Sequence, residues 1–233
     1  MSTPAQKTIL IVGCSDGIGL HAARRLLADG WQVFGISRRA APIDHPSYKQ
    51  AVVDLSEPGY RERLTGILAQ HGPFANGLYC AGIGVGLAED LHEDLKVFQV
   101  NLMAAVQTAA LLIPPMLGAG QGHFVVLSSQ ADTQISPHSP SYAASKAAMS
   151  AYFEALGLAL RPRGVVVTNI RFGFVDTKMA KSPIRPFMRS PDWAAKIVVA
   201  ALASRHIRVT RPLRMAALVW LVRWLTDWRI RIS

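Results

Sequence analysis

The feature that most constrains this chain is a rhythm, in which short apolar runs return at intervals filled by helix-patterned stretches. The runs are TILIV (8–12), WQVFGIS (31–37), AVVDL (51–55), GLYCAG (77–82), GHFVVLSS (122–129), GVVVTNIRF (164–172) and HIRVT (206–210). Strand-like runs separated by roughly 10–15 helical residues are the mark of βαβ units and a parallel sheet. The expected architecture is α/β, with seven parallel strands and helices on both faces. Helices are expected directly after the first run and near 57–71, 93–118, 141–161 and 191–203. No repeat or Gly/Ser linker interrupts the pattern, so residues 1–211 are expected to form one domain and 212–233 a C-terminal apolar and basic helix. The proline- and cation-rich stretch 176–191 is expected to be a loop.

Composition narrows the class. Half of the residues are hydrophobic and 17% are charged, which excludes a disordered chain. Two cysteines, Cys14 and Cys80, cannot make a disulfide framework and are expected to be small structural residues in a reducing cytoplasm. No uninterrupted apolar run approaches the roughly 18 residues of a membrane span, so no span is expected. The net charge of +10 raises the question of nucleic acid, but seven arginines against Asp227 in residues 205–233 account for +6 of it. The excess is a tail property, interleaved with Leu, Val and Trp rather than with a nucleic-acid signature, and no nucleic-acid partner is expected.

After the first run comes GCSDGIG, with Gly13, Gly17 and Gly19 where a strand should turn into a helix. Glycines there allow a tight turn and let a pyrophosphate approach bare N–H groups at a positively polarised helix end, Ser15 and Ile18 included. In such sites the end of the second strand selects the cofactor, an acid for a ribose 2′-hydroxyl and a base for a 2′-phosphate. Here Ser37-Arg38-Arg39 stand at that point with no acid, which favours NADP(H) over NAD(H).

At 142 the chain reads YAASK, placing Tyr142 and Lys146 four residues apart on one helix face. A cation beside a phenol favours phenolate and so prepares the tyrosine for general acid/base work. Together these elements give the chain a resemblance to the classical short-chain dehydrogenase/reductase family over residues 7–210. GCSDGIG is similar to the family's TGxxxGxG loop, Asp54-Leu55 to its adenine-side acidic position, and Tyr79-Cys80-Ala81-Gly82 to its NNAG element. Asn101, Ser129, Tyr142 and Lys146 fall where the family keeps its catalytic tetrad, and Val175 and Thr177 fall in a segment similar to PGxVxT.

The resemblance implies a Rossmann-type doubly wound fold and NADP(H)-dependent hydride transfer between the cofactor and a carbonyl or secondary alcohol. In it Tyr142 exchanges the proton, Ser129 hydrogen-bonds the substrate oxygen, Lys146 tunes Tyr142 and holds the nicotinamide ribose, and Asn101 orders a proton-relay water. Cys80, Ala81, Gly82, Val175 and Thr177 join the glycines, Ser37, Arg38, Arg39, Asp54 and Leu55 in holding the cofactor, with no metal. Ser128 competes with Ser129, but neighbouring strand residues face opposite ways and the family spacing selects Ser129. Substrate contacts are expected from 131–136, Phe174, Met179 and the 178–191 loop.

Four departures stand out. Val12 replaces a threonine, Tyr79 and Cys80 replace two asparagines, and Phe172 replaces a proline. Asp16 brings an acid where it would oppose a 2′-phosphate if it points inward. Loss of the asparagines is expected to remove polar bracing from the central sheet. The alternative to an enzyme is a cofactor-sensing binding protein of the same fold, which the retained tetrad argues against.

In the tail, Trp220, Trp224 and Trp228 recur every fourth residue and form one stripe. Two covers are open for this helix. One is a second subunit, as in the homodimers and homotetramers that the resemblance implies, and the other is a peripheral membrane contact through 212–231.

Overall fold

The computed structural model describes residues 7–87, 91–180 and 183–232, without the side chains of Arg231 and Ile232. Seven strands form one sheet: β1 (Thr8–Val12), β2 (Gln32–Ser37), β3 (Tyr48–Val52), β4 (Asn76–Tyr79), β5 (Gly122–Ser129), β6 (Val165–Phe172) and β7 (Arg208–Arg211). They lie in the order β3-β2-β1-β4-β5-β6-β7, and every pair is parallel. Seven helices accompany them: α1 (Gly17–Ala28), α2 (Tyr60–His71), α3 (His92–Phe98), α4 (Ala104–Gly118), α5 (Pro140–Leu160), α6 (Pro191–Leu202) and α7 (Leu213–Ile232).

Alternation along the strands divides the core. Leu10, Val12, Phe34, Phe124 and Val126 point to one face, where Leu64 of α2, Ala105 and Leu112 of α4, and Met149 and Phe153 of α5 cover them. Ile9, Ile11, Val33, Val125 and Leu127 point to the other, under Ala23 and Leu26 of α1 and Ala195 and Val198 of α6. Burial on both faces explains why the strands read as continuous apolar runs.

Two expectations need correction. The third strand lies at Tyr48–Val52 rather than 51–55, because Ser56 donates from its N–H (2.9 Å) and its hydroxyl (2.7 Å) to Asp54 and closes an Asx turn there. The helix expected over 93–118 is interrupted by a π-helical turn at Gln99–Met103. Among the described residues, His92–Gly118 is by length and composition apolar enough to cross a membrane, although polar residues interrupt its apolar run, and half of its most apolar window is buried inside the protein.

Because all strands are parallel, their C-terminal ends share one edge. Ser37, the residues after β3 and β4, Ser129, the segment after β6 and the start of α7 all leave from that edge. In open α/β sheets this is where ligands bind.

Candidate active site

The first wall of the site is the turn from β1 into α1. Gly13 has φ +91°, and a Cβ there would fall 2.5 Å from the Ala81 N. At Gly19 a Cβ would meet the Gly13 carbonyl oxygen at 2.0 Å, so both glycines are required by the approach of α1 to β1 and of β1 to β4. Asp16 caps α1 by accepting from Gly17 N at 2.8 Å, and helix geometry leaves the N–H groups of Ile18 and Gly19 without intrahelical acceptors. The Asp16 carboxylate pairs with Lys178 at 2.7 Å and stands 4.0 Å from Arg39. The Lys178 hydrogen bond and the capped N–H hold its pKa below the ordinary carboxylate value.

The second wall is the basic end of β2. Ser37 is buried and donates to the Arg39 carbonyl at 2.7 Å, while Arg38 and Arg39 are exposed. Asp54 sits near Arg38. Desolvation raises its pKa, but the Ser56 hydrogen bonds and Arg38 outweigh that and leave it lowered. Beside it Leu55 is buried. Glycine turns, open helix N–H groups and a basic pair are the chemistry a dinucleotide phosphate requires, so the residues present fit such a cofactor. Thr177, after β6, lies over this turn, since a Cβ on Gly17 would come 3.1 Å from its methyl, and Val175 is buried beside it.

The third wall brings together the expected tetrad. Ser129 ends β5, and its hydroxyl accepts from Ala131 N at 3.1 Å. The Tyr142 phenol lies near enough for this hydroxyl to lower its pKa. Ser128 points the other way, to Ser150 at 3.0 Å, as strand alternation requires. Lys146 lies on α5 four residues beyond Tyr142, with its Nζ 6.0 Å from the phenol ring centre and donating to the Leu127 carbonyl at 2.8 Å. Burial pulls the Lys146 pKa down to about 8. Desolvation raises that of Tyr142, and the nearby Ser129 hydroxyl offsets part of the rise. Near neutral pH the pair is therefore a protonated phenol beside an ammonium.

Asn101 lies in the π-helical turn and is fully buried. Its Oδ1 accepts from Ile83 N at 2.8 Å, and its Nδ2 donates to the Ile83 carbonyl at 2.9 Å and to the Ser145 hydroxyl at 3.0 Å. The side chain thus ties the segment after β4 to α5. Gly82, in that segment, keeps open a space where a Cβ would lie 3.3 to 3.6 Å from Met179, Asn101 and Lys146.

Two features were missed by sequence reasoning. Asp132 and Arg171 form a largely buried bidentate ion pair at 2.5 and 2.6 Å, and Ser150 donates to the same carboxylate at 2.5 Å. This pair anchors the turn that begins at Ser129. The available signal was an acid and a base close to two strand ends, which is too common to read unaided. Tyr79 is the second feature. Its phenol donates to the Val100 carbonyl at 2.5 Å, so the position supplies the polar bracing whose loss was expected from the missing asparagine. Cys80 is partly buried beside Gly19 and Cys14 fully buried, and burial raises both thiol pKa values.

Comparison with known proteins agrees with this geometry. Residues 7–185 match the model of the short chain dehydrogenase family. The chain is 29% identical over 237 residues to the uncharacterized oxidoreductase YbbO of Escherichia coli strain K12, covering 94% of this chain and 87% of that protein. It is 29% identical over 173 residues to a 3-ketodihydrosphingosine reductase of Bacteroides thetaiotaomicron, covering 72% and 64%. A short chain dehydrogenase from Burkholderia cenocepacia, solved in complex with NADP, superposes with a TM-score of 0.84 over 95% of this chain and 96% of that one, at 20% identity. With its glycine turn, its Ser129, Tyr142 and Lys146 on one sheet edge and this match over most of its length, the chain belongs to the short-chain dehydrogenase/reductase family of oxidoreductases acting on alcohols and carbonyls.

Proposed function

We propose that the protein is an NADP(H)-dependent carbonyl reductase. The observation that carries the reading is the gathering of the Tyr142 phenol and the buried Lys146 amine, 6.0 Å from its ring centre, at the end of β5 that bears Ser129. Ser129 holds the carbonyl oxygen, and Tyr142 delivers a proton to it as the bond order falls. Lys146 offsets the phenolate left behind. Asn101 keeps the walls of the site in register through Ile83 and Ser145. A bound nicotinamide supplies the hydride to the carbonyl carbon.

The cofactor preference is supported by Ser37-Arg38-Arg39 at the end of β2. The weak point was Asp16, whose charge is engaged by Lys178 and shared with Arg39. Relatives by structure carry both cofactors, with NADP in the Burkholderia enzyme and NADH in a 4-hydroxyisoleucine dehydrogenase, so the arginines rather than the likeness support the choice. Relatives named as a putative ketoacyl reductase and a 3-ketodihydrosphingosine reductase support the reductive direction. The test is a panel of ketones and alcohols offered with each nicotinamide cofactor and followed at the reduced nicotinamide absorbance. NADPH consumption exceeding NADH consumption is expected. Equal use of the two overturns the cofactor assignment, and no consumption with any ketone overturns the reductase.

A further inference from the structure

Helix α7 packs with one face only. Met215 and Val219 are buried, and α7 rests on the turn at 130–133 that follows Ser129. Its opposite arc is uncovered, and Trp220, Trp224 and Trp228 are 69%, 57% and 57% exposed. At 100° per residue these three span 80°, and Ala217 and Leu221 lie within or beside that span, followed by Leu225 and Leu218. Arg214 lies within this arc, between Leu221 and Leu225, and Arg229 at its edge, and both are exposed. The apolar run between Arg214 and Arg223 holds eight residues and is too short to span a bilayer.

Charge decides between possible covers. The only acid in residues 205–233 is Asp227, and it is engaged by Arg223 of the same helix at 2.9 Å. A symmetric pairing of two such faces would set arginine against arginine, which disfavours a second copy of the chain. An anionic phospholipid surface complements the same face, with Trp at the headgroup boundary and Arg on the phosphates.

The helix is also aimed. Gln130, next to Ser129, donates to the Arg211 carbonyl at 2.9 Å and the Pro212 carbonyl at 3.1 Å, which ties the start of α7 to the edge of the sheet that bears the site. On the segments leaving β5 and β6 at that edge, Ile135, Met179, Phe187 and Met188 are exposed apolar side chains.

We propose that α7 docks the protein on an anionic phospholipid surface at the edge where the cleft of Ser129 and Tyr142 opens, and that the substrate is an amphiphilic ketone drawn from that surface. The substrate half rests on the reductase reading above, and the docking half does not.

The experiment is co-sedimentation of the full-length protein with vesicles of phosphatidylcholine alone or mixed with phosphatidylglycerol, read beside sedimentation equilibrium without lipid. The wild-type protein is expected to sediment with the anionic vesicles at low salt and to be released at high salt. Arg214→Gln with Arg229→Gln is expected to weaken binding about 25-fold, at about fivefold per arginine near the surface. Trp220→Ser with Trp224→Ser and Trp228→Ser is expected to abolish it while leaving the circular dichroism and the turnover of a short, soluble ketone unchanged. Turnover of a long-chain ketone presented in vesicles is expected to fall in the same variant. Wild-type protein that stays in the supernatant over anionic vesicles overturns the docking, and if the tryptophan variant also dissociates an oligomer, the cover is a second copy. Vesicle binding without turnover of any ketone overturns the substrate half alone.

Discussion

Two parts of one sheet edge handle charge in opposite ways. At Tyr142 and Lys146 the groups are enclosed, with Lys146 3% exposed and its amine discharged at about pH 8. At Arg38 and Arg39, some strands away on the same edge, the guanidiniums stand in solvent, and the contact of Arg39 with Asp16 is a loose 4.0 Å. The difference suits the tasks proposed for the two parts. Enclosure shifts both groups proposed for proton transfer, holding the Tyr142 phenol protonated and bringing the Lys146 amine down toward working pH. Choosing between a 2′-hydroxyl and a 2′-phosphate needs only a positive charge within reach, which an exposed side chain supplies while keeping its own ionisation. Substitutions at the enclosed part should therefore act steeply and on rate, and those at the open part mildly and on affinity.

The largest effect is expected from Tyr142→Phe, which removes the proton donor and keeps the ring. Turnover should fall by about 10²–10⁴-fold, while the Kd for NADPH, read by nicotinamide fluorescence, changes little. Retained turnover would exclude Tyr142 from proton transfer. The same site predicts a pH profile. Burial lowers the Lys146 pKa and favours its neutral form, so the ammonium is present below about 8 and lost above it. The value of kcat/KM for ketone reduction should be level through neutrality and decline above about pH 8, and a profile level to pH 10 would remove Lys146 from the mechanism.

Next in size is the support behind the enclosed part. Asp132→Ala leaves the largely buried Arg171 guanidinium unpaired, which should cost up to about 3–5 kcal/mol in a urea unfolding titration. Because the turn following Ser129 is held by this pair, turnover should fall as well, even in conditions where the variant is fully folded. A loss of stability below about 1 kcal/mol would mean that the pair is solvated in the folded protein. Smaller again is Arg38→Asp at the open part. One charged contact with the 2′-phosphate is worth about 1.5–3 kcal/mol, or roughly ten- to a hundredfold in NADPH affinity, and the variant should prefer NADH. An unchanged ratio of the two affinities would place the selectivity elsewhere.

The sequence showed the reacting groups of both parts more fully than the contacts that support them, for a physical reason. Glycine turns, strand ends and the Tyr142/Lys146 spacing are local, and local backbone geometry and helix periodicity are written residue by residue. The Asp132 and Arg171 pair joins residues 39 apart, and Tyr79 reaches Val100 across 21, so neither is fixed by any short pattern. Two helices make the same point about apolar runs. The stretch from His92 to Gly118 reads as the most membrane-like of the described chain, yet half of it is buried by the fold, whereas α7, broken by arginines, leaves its tryptophans outside. Composition states how apolar a helix is. Only the tertiary contacts state which of its faces are used.

The finest test of the comparison is Asp16→Asn, at the junction of the glycine turn and the open part. Asn and Asp cap helices about equally well, and the Asn side-chain oxygen can still accept from Gly17 N, so unfolding stability should move by less than about 1 kcal/mol. What changes is the charge. Lys178 and Arg39 lose a shared anionic partner, and both become free to face a phosphate. Since the carboxylate is 43% exposed, solvent screens most of its field, and only a surface-pair magnitude of about 0.3–1 kcal/mol should appear. NADPH should thus bind about two- to fivefold more tightly, with NADH gaining less because Arg39 has no 2′-phosphate to meet. The gain should shrink as salt is raised, since the groups involved are exposed. An equal gain for both cofactors would show that Asp16 acts on the pyrophosphate through the end of α1 and not on the selecting arginine. Weaker binding of NADPH would show that the Asp16 bridge holds Lys178 and Arg39 in place for the cofactor, which would make the acid part of the site and not its flaw.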